Sequence, residues 1–250
     1  MTTLIITAAG KASRFHDVGY DLPKYLLPWI NGKTILNNLI SEICSSGDID
    51  YVLIIANQRE KFFKSKIEEE LPEEIKSDIL FVRDTLGQAH TTLLGVEELI
   101  RKNLGDQAII VQASDTILKN RDIKNLTNFT DDIVGYVDTF QSSNAQYSYI
   151  LESNGFLKRF LEKSIISPIA SSSLISFYSA EQFLKIYNHY ASQIDNKSEC
   201  YMSKLIDCST MNGDLYKINY NSEIENTIVL GTPEEYCMAY TISSAGIKGI

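Results

Sequence analysis

The stretch LIITAAGKASRFHDVGYDLPKYLLPW, residues 4–29, decides how the rest of the chain is read. It opens with LIIT, an apolar and β-branched run that suits a buried strand. The run stops at Ala8, Ala9 and Gly10, and Lys11, Ser13 and Arg14 follow within four residues. Small side chains at Ala8, Ala9, Gly10 and Ala12 leave the backbone amides uncovered, so a ligand can approach them closely. Two cations and a hydroxyl on such a loop suit a polyphosphate. Pro23-Lys24 follows downstream. Proline fixes φ and removes a donor, so Lys24 is presented from a stiff turn. The pattern is neither a P-loop nor a dinucleotide fingerprint: GK[ST] is missing, and Ala12 stands at the second glycine. The plain alternative is a strand-to-helix turn with surface cations and an exposed lysine after a turn proline.

Working outward, short apolar runs alternate with helical patterns. YVLIIA (51–56), DILFV (78–82) and AIIVQ (108–112) read as strands. TILNNLISEICSSG carries a helical stripe of Ile35, Leu36, Leu39, Ile40 and Ile43, with Gly47 as its C-cap. REKFFKSKIEEE reads as a charged helix and AHTTLLGVEELI as another. This alternation predicts an α/β fold with a mostly parallel sheet covered on both faces. The second half changes character. DIVGYVD, AQYSYILE, GFLKRFLEK and LISFYS are strand-like, and SNG (153–155) separates two of them as a hairpin turn would. Helices are expected near 180–192, near 199–208 and from GTPEEY, with a strand at DLYKINY. Pro233 and two glutamates suit the start of the last helix. One domain over 1–250 is the simplest organisation, and the tail SSAGIKGI is expected to be loosely held.

The 250 residues carry a formal net charge of −9, and the sequence pI is about 4.9. That argues against a broad nucleic-acid face, which needs a basic surface. Cys44, Cys200, Cys208 and Cys237 show no CxxC spacing and read as small buried hydrophobes in a reducing compartment. His16, His90 and His189 show no zinc spacing. No apolar run reaches the length of a membrane span, and LIIT is too short for a signal peptide, so a cytoplasmic protein is expected.

In an open parallel sheet, ligands bind beyond the carboxyl ends of the strands. Four segments sit there: AAGKASR, Asn57-Gln58, RDTLGQAH and ASDT. They are expected to share one rim. Asp115, at the end of a buried strand, either binds a cation or caps a helix.

Taken together, AAGKASR, LPKYLLP, GQAHTTLLG, SDT, LEK (161–163) and LGTPEEY (230–236) resemble the sugar-phosphate nucleotidyltransferase superfamily. The six motifs occur in the family's order over nearly the whole chain. GYDLPK, QYSY, ISPIASSS and ECYMSKLI are similar to a small subgroup from capsule and surface-polysaccharide clusters. Four positions depart from the family pattern. Ala12 replaces a glycine, Ser114 stands where Gly often precedes the metal Asp, and Ser173 stands where Gly is common near the sugar. Val229 stands where related enzymes carry a second metal-binding Asp, for which Glu225 is the one candidate substitute.

The resemblance implies a Rossmann-like, GT-A-like mixed sheet with helices on both faces and a small antiparallel addition. Residues 1–130 would form the nucleotide half and 131–240 the acceptor half. An NTP would lie over residues 8–14, with Ala8, Ala9, Gly87 and Gln88 at the base and ribose. Gly10, Lys11, Ala12, Ser13 and Arg14 would meet the β- and γ-phosphates, and Lys24 the α-phosphate. Asp115 would hold Mg²⁺. Lys163 would take the acceptor's phosphate, Glu162 a hydroxyl, and Glu199 would line the same pocket. The acceptor phosphate would attack the α-phosphorus in line and release pyrophosphate, with no general base needed. The leading expectation is transfer to a sugar 1-phosphate by a homodimer for surface-polysaccharide precursor synthesis. The alternatives are a CTP-dependent enzyme acting on a small non-sugar phosphate such as phosphocholine, an inactive nucleotide-binding subunit and, last, a glycosyltransferase, which would need an Asp-x-Asp pair. Tyr136, Phe140, Tyr147 and Tyr149 either pack strands or line the acceptor side.

Overall fold

β1 (Thr2–Ala8) is the apolar run that opens the quoted stretch, and in the computed structural model it lies inside a sheet. The structure describes residues 1–130, 132–193, 199–221 and 226–245. β1 pairs in parallel with β2 (Tyr51–Asn57) and β4 (Ala108–Ala113), and β2 with β3 (Lys76–Val82). A strand buried on both faces needs no polar alternation. Leu4, Ile6, Val52, Ile54 and Ile110 point to one face, where they meet α2 (Ile35–Ser46) and Ile67 of α3 (Lys64–Glu68). Ile5, Leu53, Ile55, Ile109 and Val111 point to the other. There they meet α4 (Gln88–Arg101), α5 (Ala180–Tyr190) and α6 (Met202–Met211).

Beyond β4 the sheet turns antiparallel through β9 (Ile169–Phe177), then runs through β6 (Ile133–Gln141), β10 (Leu215–Asn219), β8 (Phe156–Glu162) and β7 (Ser148–Ser153). β6 and β10 pair in parallel. The antiparallel portion is therefore wider than an edge addition. The SNG turn joins β7 and β8, with Asn154 at φ 55° and Gly155 at φ 79°, the mirror-image turn that suits a two-residue hairpin. A second, two-stranded sheet pairs β5 (Thr116–Leu118) with β11 (Thr227–Val229). Against it pack Phe15 of α1 (Ser13–Asp17), Trp29 and Tyr236 of α7 (Pro233–Ser244).

Several local expectations change. Residues 58–63 form a 3-10 helix and only Lys64–Glu68 is α-helical, so the charged helix is shorter than its pattern suggested. α6 begins at Met202, and residues 199–201 form the loop before it. Gly47 closes α2 in extended rather than left-handed backbone. It is glycine because a Cβ there would come within 2.4 Å of Ile123 Cγ2. Cys237 is exposed, against the expectation of burial. Residues 246–250 of the tail lie outside the described residues.

Candidate active site

The carboxyl ends of β1 and β4 open onto a cleft of about 1000 Å³ that also reaches β7, β8 and β9. Ala9, Gly10, Lys11, Arg14, Lys24, Gly87, Gln88 and Asp115 line it from one side. Glu162, Lys163 and Glu199 line it from the other. Three of the four rim segments meet here as the strand-end rule requires. The remaining one acts from behind: Asn57, buried, donates through Nδ2 to Ala9 O (3.2 Å) and to Asp84 Oδ1 (3.1 Å), fixing the loop that follows β1. Ala8, Ala12 and Ser13 do not line the cleft. Ala8 is buried at the end of β1, Ala12 takes left-handed backbone (φ 48°), and Ser13 opens α1.

Lys24 follows Pro23 in a 3-10 turn whose Tyr25 is buried and donates to Glu60 Oε2 at 2.8 Å. The turn is thus pinned, and Lys24 Nζ reaches Asp115 Oδ2 at 2.6 Å. Asp115 stands at the corner where the chain passes from the large sheet to the small one. Its carbonyl accepts from Leu230 N–H at 2.7 Å. Burial pushes its carboxyl up, but the charge and hydrogen bond of Lys24 outweigh that and hold it below the ordinary carboxylate range. No group of three metal-ligating side chains occurs among the described residues. Val229 pairs with Thr116 on the small sheet and packs beside Phe140 and Tyr149, so it offers no ligand. Glu225 lies outside the described residues. One ionised carboxylate at the cleft wall still fits Mg²⁺, which is commonly held by one or two carboxylates plus substrate phosphates.

On the far side, Glu162 Oε2 accepts from Ser203 Oγ at 2.7 Å and from Ser148 Oγ. Lys163 has φ 51° and donates through its backbone N–H to Tyr147 O at 3.1 Å. Its ammonium lies 5.2 Å from the centre of the Tyr201 ring and 3.3 Å from the Tyr201 hydroxyl. Ser173 takes φ 66°, in the left-handed region that favours glycine. Tyr147 lines the cleft, whereas Tyr136, Phe140 and Tyr149 are buried packing residues. Sequence reasoning missed Tyr201, Ser148 and Ser203 as individual contributors. Only ECYMSKLI and QYSY pointed to their neighbourhood.

Gly87 joins the two sides. Its φ is 127°, and a Cβ there would lie 2.7 Å from Cys200 O and from Glu199 Cγ. Ala89 N–H donates to that same Cys200 carbonyl at 3.1 Å.

Comparison with known proteins bears on the family and the fold. No curated protein matches the chain. The fold is similar to that of the nucleoside-diphosphate-sugar pyrophosphorylase from Vibrio cholerae RC9, with 25% identity, TM-score 0.78, 96% of this chain and 100% of that one covered. It is also similar to that of the inositol-1-phosphate CTP transferase from T. maritima, with 12% identity and TM-score 0.75 over 100% of this chain and 98% of the other. Residues 3–201 match the nucleotidyl transferase family. A match over that much of the chain, on a shared fold, makes this protein a member of the nucleotidyl transferase family and an enzyme of nucleotidyl transfer.

Proposed function

We propose that the enzyme moves a nucleoside monophosphate from an NTP to a sugar 1-phosphate and releases pyrophosphate. The observation that carries this is one cleft with Lys11, Arg14, Lys24 and Asp115 on the β1–β4 side and Lys163 on the β7–β9 side. A triphosphate and an acceptor phosphate both need cations, and two cationic walls face one space. In this reading residues 1–130 bind the nucleotide and 131–240 the acceptor. Arg14 and Lys11 hold the leaving pyrophosphate, Lys24 the α-phosphate and Lys163 the attacking phosphate. Positioning and charge neutralisation then account for catalysis, since the attacking phosphate is already ionised. Mg²⁺ at Asp115 would neutralise charge between the phosphates. Ser148, Ser171, Ser173, Ser203 and Asn144 give the acceptor side hydrogen-bonding groups suited to a hydroxyl-rich substrate.

A phosphocholine-like acceptor is less well supported. Its cation would need a free aromatic face; both Lys163 and Lys204 already lie over Tyr201, and Tyr147, which also lines the cleft, packs against Phe140. An inactive subunit would have no use for Arg14, Lys24, Asp115 and Lys163 together. No helix among the described residues is long and apolar enough to cross a membrane. The enzyme is proposed to act in the cytoplasm as a homodimer, supplying precursors for surface polysaccharide, as the sequence resemblance implies.

The test is thermal stability with Mg²⁺ and each of CTP, UTP, dTTP, GTP and ATP, followed by pyrophosphate release with a panel of sugar 1-phosphates and phosphocholine. A ligand at one hundred times its Kd stabilises by about 2.7 kcal/mol. We expect one NTP to raise Tm clearly and to yield pyrophosphate with a sugar 1-phosphate. No rise with any NTP at millimolar concentration would sink the assignment.

A further inference from the structure

Gln112 is a primary amide at the penultimate position of β4, with 0% of its surface exposed. It pairs with Ile6 of β1 inside the packed sheet, and Ile109, Ile110 and Val111 before it are all apolar. A buried amide is costly unless its donors and acceptor are matched. Both donors are matched, and on the same feature: Nε2 donates to Ala113 O at 3.1 Å and to Thr116 O at 3.4 Å. Its Oε1 has no hydrogen-bond partner.

Those two carbonyls bracket the corner that carries Asp115. β4 ends at Ala113 and β5 begins at Thr116, and the two strands belong to different sheets. Only Ser114 and Asp115 make the change of direction. One amide therefore ties the residue before the corner to the residue after it. The backbone of Gln112 belongs to the same assembly, since its carbonyl accepts from the Thr7 hydroxyl at 3.2 Å and Thr7 lines the cleft. The corner has other supports, Ser114 N–H on Thr7 O (3.3 Å) and Leu230 N–H on Asp115 O (2.7 Å), so loss of the amide would loosen it without dismantling it.

We propose that Gln112 is a positioning residue, which braces the Ser114–Asp115 corner so that the Asp115 carboxylate stays where a divalent cation and the nucleotide phosphates meet. The unmatched oxygen is the cost of placing two donors under that turn. This rests on the reading of Asp115 as the metal ligand.

The experiment uses the full chain with Mn²⁺ and inorganic pyrophosphate, a probe that does not depend on the base. Protein-bound Mn²⁺ is followed by the enhancement of water-proton relaxation, which rises when the ion tumbles with the protein. Gln112→Met, apolar and of similar length, takes the donor away from two carbonyls, so it is expected to fold with a Tm a few degrees below the parent's and to need at least tenfold more Mn²⁺ for half-saturation. Its pyrophosphate binding without metal stays within twofold, because Arg14 and Lys24 are untouched. Gln112→Asn keeps an amide but is one methylene short, so it too needs more Mn²⁺. A folded Met or Asn variant with the parent's Mn²⁺ requirement overturns the inference. Asp115→Asn separates the two readings. If it abolishes the enhancement while Gln112→Met behaves as the parent, only the bracing role fails. If Asp115→Asn binds Mn²⁺ like the parent, the metal reading itself fails.

Discussion

At the scale of single residues, Lys24 and Asp115 are the informative pair. Each side chain is mostly buried, and each is the other's partner at 2.6 Å. Lys24→Ala is expected to lower the rate of pyrophosphate release by about 10²–10³, in line with the loss of one preorganised charge contact. The same variant removes the charge and hydrogen bond that do most to oppose burial, so the Asp115 carboxyl is expected to rise from its lowered position, with the Thr116 hydrogen bond still opposing burial in part. In the parent, the lowered value adds stability above pH 3.8, and this is lost as pH falls through the folded-state value. A carbon-13 NMR titration of the Asp115 carboxyl reads the shift, and an unchanged titration would show that Lys24 does not set it. Ala12 and Ser173 carry a different lesson. Both stand where the motif pattern of the resemblance has glycine, and both take positive φ, at about 1–2 kcal/mol of backbone strain each. The sequence flags the substitutions. It does not tell whether the chain keeps the conformation or abandons it, because neighbouring packing decides that.

At the scale of elements, Gly87 shows how a helix start and a remote loop become one surface. Gly87→Ala meets both a φ of 127° and the Cys200 carbonyl at 2.7 Å, which is backbone and cannot swing away. The variant is expected to lose about 2 kcal/mol, read as a lower urea midpoint, together with weaker nucleotide binding. A midpoint equal to the parent's would mean that the loop before α6 yields freely. Helices α2, α4 and α5 and strands β1 to β4 were legible because their apolar spacing is long and regular. The 58–68 segment was not. Its charges match a helix, but Asn57 accepts from Arg59 N–H and starts a 3-10 turn, and only Ile67 is buried. With so little apolar surface to bury, periodicity carried no information about its length.

Over the whole molecule, one buried ion pair knits the mixed half of the sheet together. Arg121 Nε donates to Asp138 Oδ2 at 2.8 Å, with both side chains almost wholly removed from solvent. Asn219 Nδ2 donates to Asp138 Oδ1 at 2.8 Å, Ser172 adds a further hydrogen bond, and Arg121 also donates to Thr227. The network joins β6, β9, β10 and β11. It sits at the bulge where Ser171 pairs with Thr139 and Ile175 with Val137, so Ser173 is turned beside the cleft. Asp138→Ala strands the guanidinium and is expected to cost about 3–5 kcal/mol. Adding Arg121→Leu should restore much of that loss, because two apolar groups replace an orphaned charge. Denaturant melts of the two variants check it, and a double variant no more stable than the single one would refute it.

The sequence by itself determined the parallel half of the fold and the identity of the charged residues Lys11, Arg14, Lys24, Asp115, Glu162, Lys163 and Glu199 that line the cleft. Local periodicity reports burial, and a loop at the end of a parallel strand has only one rim to occupy. It also determined, through six ordered motifs, the family. Tertiary structure alone decided that Lys24 and Asp115 touch, that Gly87 abuts Cys200, that Tyr201 carries Lys163, and that Gln112 braces the corner beneath Asp115. These contacts link positions far apart in sequence or arise at turns between sheets, and no short-range spacing encodes which of many polar residues will meet once the core has packed.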